Sequence, residues 1–200
     1  MPETATHKER TRQRILDEAA AIMRVVGTEG IGVAALMKRA GLTHGGFYAH
    51  FKSRDDLVAN VVDRMFIETR ASLQSQISDG SEAEKLSLFI DIYLSDEARK
   101  APEHSCPMPS LASEACRLPE VARARFNQGI QTMQGIVATS LQALGHKDPQ
   151  ALASSVQAEM IGAMALARAM TDEAQARQAL QASRSQLKRR LGLDRETAHG

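Results

Sequence analysis

The strongest constraint on this chain is apolar spacing that keeps a helical period from one end to the other. Ile15, Ala19, Ile22, Met23 and Val26 follow an i, i+4, i+7, i+8, i+11 pattern, one face of a helix over about residues 8–29. The same period returns in Val58, Val61, Val62, Met65, Phe66, Leu73 and Ile77, and again in Ala122, Phe126, Ile130, Met133, Val137 and Leu141. Leu152, Val156, Met160, Met164 and Ala167 form a further stripe, and Ala176, Leu180, Ser183, Leu187 and Leu191 the last. No stretch alternates apolar and polar residues as a half-buried strand does. The fold class expected is all-α.

Punctuation between the stripes divides the chain. Gly27, Gly30 and Gly32 end the first helix, and a short helix follows over 33–40, with Val33, Leu36, Met37 and Ala40 inward. Gly41 stands where a helix end needs positive φ. Thr43 is a suitable N-cap for a second short helix over 44–51. Ser53, with Asp56 three residues on, has capping-box spacing and starts a long helix that Asp79, Gly80 and Ser81 end. Residues 82–96 are apolar on most sides and are expected to be central. Pro102, Pro107 and Pro109 predict a bent connection over 97–110, then a short helix over 110–117 and a long one over 119–144, terminated by Gly145. Asp148 before Pro149 marks a helix start. That helix runs to about 170, the last spans 172–191, and 192–200 read as a frayed tail.

Composition removes several classes. With 200 residues, 43% of them hydrophobic, the chain can bury a sizeable core. Two cysteines make no disulfide framework. The longest apolar run, 160–167, is closed by Glu159 and Arg168 and is too short to span a bilayer. Asp17 and Glu18 interrupt any apolar segment behind the basic N-terminus, so no signal peptide and a cytoplasmic location are expected. A nucleophile elbow, a metal motif and a phosphate loop are all missing, so no enzyme, no cofactor and no metal site are expected. A Cys/His hydrolase would rest on Cys106 and His104 alone.

Residues 33–50 have helix-turn-helix spacing. Gly45 and Gly46 lie near the start of the second helix, where interior glycines cost about 1 kcal/mol each against Ala. Close approach of the backbone to a large partner is a reason to keep them. Thr43, His44, Tyr48, His50, Lys52 and Arg54 supply donors, and no acid occurs from residue 40 to 54. Phe47 and Phe51 can face the core while His44 and Tyr48 face out.

Residues 41–57, GLTHGGFYAHFKSRDDL, resemble the signature of the TetR family of bacterial transcriptional regulators. Gly41, Thr43, Gly45, Tyr48, His50, Phe51, Ser53, Arg54, Asp55 and Leu57 carry the match. The resemblance implies an N-terminal three-helix helix-turn-helix DNA-binding domain, residues 1–54, and a helical effector-binding and dimerisation domain, residues 55–200. It implies a ligand-responsive repressor that binds double-stranded operator DNA as a homodimer. Thr43, His44 and Gly45, with Gly46 beside them, would face base edges, while Tyr48, His50, Arg54 and Lys52 would hold phosphates. Family members often cap the first short helix with Ser or Thr, whereas this chain has Ile31-Gly32, followed by Val33 and Ala34. Lys8, Arg10, Arg12 and Arg14 are candidates to compensate, or are simply a solvated helix face.

The resemblance also implies an unknown small-molecule effector among the central helices. Phe66, Phe89, Tyr93, Met108, Phe126 and Met133 are candidate lining residues, with Met65 and Met164 beside them; most are simply core, and each alone reads as packing before ligand contact. The last two helices would form a four-helix bundle with their two-fold mates. The small face of Ala151, Ser155, Ala158, Gly162, Ala165 and Ala169 suits that packing, or packing within the subunit. Cys106 and Cys116, in CPMPSLASEAC, resemble a branch of the family in which cysteines sense oxidants or electrophiles. The alternatives are sensing, which would release the operator, and two small buried hydrophobes.

Net charge is +1 overall, which by itself argues against a polybasic nucleic-acid binder. Residues 1–54 nonetheless hold nine basic and five acidic groups, and the remainder sixteen and nineteen. Near-neutrality is therefore the sum of a small basic head and a mildly acidic body.

Overall fold

Local capping decides where most helices begin. In the computed structural model, which describes residues 6–77 and 79–194, the Thr6 hydroxyl accepts the Glu9 amide at 3.2 Å and the Glu9 carboxylate accepts the Thr6 amide at 2.6 Å. This capping box opens α1, His7–Val26. Gly32 starts α2, Val33–Arg39, with no side-chain cap. Gly41 then closes the turn with φ +70°. The Asp56 amide donates to Ser53 Oγ at 3.1 Å, and the Asp56 carboxylate accepts from the Lys52 amide at 2.9 Å, at the head of α3, Arg54–Gln76. Ser81 and Glu84 make a second capping box for α4, Glu82–Tyr93.

The proline-rich connection differs from the expectation. Ser95 caps a one-turn helix, α5, Asp96–Lys100, where only a bend was predicted. The helix predicted over 110–117 is instead α6, Met108–Leu111, followed by a 3₁₀ turn at Ala115–Arg117. Pro107 sets the start of α6, and four residues are too few to hold an α-helix far beyond it. The long helices follow the stripes: α7 is Glu120–Ala143, α8 is Pro149–Ala169 with Asp148 accepting the Ala151 amide, and α9 is Glu173–Leu191. Gly192 takes φ +67°. The remainder of the predicted tail, 195–200, lies outside the described residues. No strand occurs among the described residues.

The chain forms two compact units. One comprises Met1–Glu68 with Pro102–Gly129, the other Thr69–Ala101 with Ile130–Gly200. The core of the first holds Ile15, Ala19, Met23, Leu36, Met37, Phe47, Phe51, Met65 and Phe126, each at most 2% exposed. Phe66 and Phe126 pack edge to face with centroids 5.4 Å apart, and the Phe66 ring lies 2.3 Å from where a Cβ on Gly129 would stand. In the second unit α8 packs along α9, burying Val156, Met160 and Met164 against Ala176, Leu180 and Leu187. Several inward expectations are corrected. Ile22, Leu73, Ile77 and Ile130 are only half-buried. Val26 is 51% exposed because α1 ends there and the chain turns away. Val33 is half-buried at the first position of α2, and Leu88 is 40% exposed, so α4 is not enclosed on all sides.

Phe126→Ala is expected to cost about 3–5 kcal/mol, because the Phe66 ring loses its partner and a cavity remains. Val121→Ala, at a site 59% exposed, is expected to stay within about 0.5 kcal/mol. Urea unfolding of the two variants checks both.

Candidate nucleic-acid interface

Residues 44–51 were expected to form an α-helix, and instead His44–Ala49 is a 3₁₀ helix. Six residues with two adjacent glycines cannot sustain an α-helix on propensity, and the tighter turn is the usual form of so short a piece. The Gly46 amide donates to the Thr43 carbonyl at 3.1 Å and the His50 amide to the Phe47 carbonyl at 2.9 Å. Thr43 has N-cap backbone geometry, but its hydroxyl makes no capping bond, so the predicted cap is a backbone cap only.

The turn is nailed down from inside. Phe47 and Phe51 are 1% and 2% exposed, with ring centroids 5.6 Å apart. Leu36 and Met37 of α2 are buried in the same unit. The opposite side is open: Thr43, His44, Gly45 and Lys52 are exposed, Gly46 is half-buried, and Tyr48 is 69% exposed. A Cβ added to Gly45 would meet nothing within 4 Å, and one on Gly46 would make only ordinary contacts. Packing within the chain therefore does not require either glycine.

The N-terminal end of α1 adds positive charge beside this turn. Arg12 lies over the Phe51 ring, 5.0 Å from its centroid, and Lys8 is exposed one turn earlier. Burial first, then the charges of Lys8 and Arg12, hold the pKa of His50 below the usual histidine value. Its Nδ1 is buried with no hydrogen-bond partner among the described residues.

Arg54 is placed differently from the other candidates. Its guanidinium donates to the Glu29 carboxylate at 2.7 Å and to the Thr28 carbonyl at 2.5 Å. It holds the loop between α1 and α2. That loop has a second clamp which sequence reasoning missed. The Glu114 carboxylate accepts both the Thr28 amide, at 3.0 Å, and the Thr28 hydroxyl, at 3.1 Å. Thr28 and Glu114 are 86 residues apart, and no local pattern joins them.

The effector candidates divide between the two units. Phe66, Met108 and Phe126 belong to the first unit, and Phe89, Tyr93 and Met133 to the second. All six are buried. Cys106 is buried and Cys116 exposed, with Cys116 Sγ 3.7 Å from the Ser113 carbonyl. No group of three or more metal-ligating side chains lies together among the described residues, and no described helix is long and apolar enough to cross a membrane.

The chain matches two family models: bacterial regulatory proteins, tetR family, over residues 15–61, and the tetracyclin repressor-like C-terminal domain over residues 82–183. It is 24% identical over 136 residues to the HTH-type transcriptional repressor NemR of Escherichia coli K12, covering 67% of each chain. The solved structure of E. coli NemR in its reduced form superposes with a TM-score of 0.79 at 18% identity, covering 90% of this chain and 96% of that one. A TetR-family transcriptional regulator from Cytophaga hutchinsonii superposes with a TM-score of 0.80 at 19% identity, covering 92% and 96%.

Glu114→Gln and Thr28→Val are each expected to destabilise the protein by about 1–2 kcal/mol. In a double-mutant cycle they should couple by at least about 0.5 kcal/mol. Additive effects in urea unfolding would show that the clamp carries no stability.

Proposed function

The chain belongs to the TetR family of bacterial regulatory proteins, and we propose that it is a repressor whose 44–50 turn reads an operator. The family and the relatives are transcriptional regulators, not enzymes. One observation carries the reading: the donor-bearing side of the turn is open, acid-free and lined by two glycines that internal packing does not require. Thr43, His44, Gly45 and Gly46 face base edges. Tyr48, His50 and Lys52 hold phosphates, joined by Lys8 from α1. Phosphate contacts set register and affinity, and base contacts set sequence. Arg54 serves through the loop it anchors.

The reading head is residues 1–54 and the remainder, 55–200, binds the effector and dimerises. On α8 the small face of Ala151, Ser155 and Ala158 stays exposed in the single subunit, and Leu166 beside it is 63% exposed. Covering that face with a second copy's α8 and α9 makes a four-helix bundle and spaces two reading heads by whole turns of DNA, about 34 Å each. An effector acts by favouring a state with the wrong spacing. The alternative trigger is cysteine modification, and the exposure of Cys116 favours it as the reacting thiol over the buried Cys106. The protein would work in the cytoplasm, where its operator is.

A mobility-shift assay on DNA from the chain's own promoter tests the proposal. Binding by two subunits per site is expected to weaken with rising salt and to fall roughly tenfold or more in Tyr48→Ala. Salt-independent binding, unchanged in that variant, would sink it. A second measurement addresses His50. Its pKa lies below the usual value in the free protein, and a phosphate beside the ring raises it, so binding takes up a proton. Operator affinity should therefore rise as pH falls from about 8 to about 6. His50→Gln should flatten that dependence.

A further inference from the structure

A groove of about 360 Å³ in the second unit is lined by one stripe from each of three helices. On α3 and the residue just after it the stripe is Arg70, Leu73, Gln74 and Ile77, and on α4 it is Glu82, Lys85, Leu86 and Phe89. Both have i, i+3, i+4, i+7 spacing, so each is a single helix face. The two helices are joined by residues 77–81 alone and line one groove, so they run antiparallel. Ile77 therefore lies at the Glu82 end, and Arg70 lies at the Phe89 end, about 10 Å away along the helix.

The two ends differ in charge. The Glu82 carboxylate accepts the Ser140 hydroxyl at 3.0 Å and the Lys85 ammonium at 3.2 Å. Those bonds hold its pKa below the usual carboxylate value and make that end a closed, neutral pair. Arg70 is exposed and has no hydrogen-bond or ion-pair partner among the described residues. Between the ends the walls are apolar. Leu73 and Ile77 were expected in the core, but the groove leaves them half-buried, and Ile136 from α7 is 42% exposed.

We propose that this groove binds an anionic amphiphile. Its carboxylate or sulfonate pairs with the Arg70 guanidinium, with Gln74 one turn on as a further donor, and its apolar body of about 10 Å lies along Leu73, Leu86 and Ile136. Arg presents a planar donor fork that fits a carboxylate in two-point fashion. A volume of about 300–1,000 Å³ is that of small-molecule sites, which favours a small molecule over a folded partner as the occupant. The proposal rests on the reading of the second unit as an effector domain, and supplies its site and chemistry.

Fluorescence titration of the full chain without DNA tests it, using anilinonaphthalene sulfonate as the anionic probe and phenylnaphthylamine as its uncharged counterpart. One sulfonate per subunit is expected, displaced by decanoate. Arg70→Gln should weaken the sulfonate about tenfold and leave the uncharged probe within about twofold. Ile136→Glu, at a site 42% exposed, should weaken both. Equal sulfonate affinity in Arg70→Gln and wild type, or binding indifferent to Ile136→Glu, overturns the proposal. Decanoate is then added to the complex with promoter DNA. Release of the DNA supports both readings. Binding in the groove with the DNA complex untouched leaves the groove's chemistry standing and removes the effector reading.

Discussion

The buried guanidinium of Arg24 is the interaction on which the first unit depends. It is 2% exposed, and a cation so placed persists only when paired and hydrogen-bonded. Arg24 Nη1 donates to the Glu68 carboxylate at 2.9 Å and to the Glu103 carbonyl at 3.2 Å, and Nη2 to the Met65 carbonyl at 3.0 Å. The end of α1, the middle of α3 and the turn at 102–104 thus meet on one side chain. Glu68 also takes Arg64, which reaches Asp17 on α1, so α1 and α3 are tied twice. The bond to Glu103 joins the start of Pro102–Gly129 to the N-terminal helices, with which that segment forms one unit.

What was legible in the sequence was local. The long helices begin and end close to their expected places because caps and stripes act within a few residues: Ser81, Asp148 and Gly145 each do their work within a turn. The outward Tyr48 and the inward Phe47 and Phe51 followed from spacing alone. Arg24 and Glu114 were illegible for the opposite reason. An Arg in the last turn of a helix looks like a favourable dipole partner, and its burial depends on residues 41 to 79 positions away. The contacts of Arg54 were illegible in the same manner. Its place next to the reading turn suggests a phosphate contact, but Glu29 and the Thr28 carbonyl are within its reach.

The short 44–51 segment shows a third kind of limit. Its position and its two faces were readable, but not its winding. Propensity over six residues is too weak to choose between α and 3₁₀, and the aromatic anchors choose instead. The consequence is functional. A 3₁₀ turn sets residues three apart in register, so the buried Phe47 and the half-buried His50 share one edge, while Gly45 and Tyr48 share the exposed one.

Thr28 links the loop before α2 to two distant parts of the chain. Its amide and hydroxyl are held by Glu114, and its carbonyl is held by Arg54, the first residue of α3 and the third after the reading turn's edge at Phe51. Glu114 lies in the segment that carries both cysteines, two residues before the exposed Cys116. The loop that precedes α2 is therefore fixed from two sides by charges on different parts of the chain. A displacement of the 108–117 segment withdraws two acceptor contacts from Thr28 and leaves its buried amide unpaired, at a cost of about 1–3 kcal/mol. A cost of that size falls within the range of allosteric couplings, about 1–3 kcal/mol. Such a clamp holds the loop before α2 in one setting.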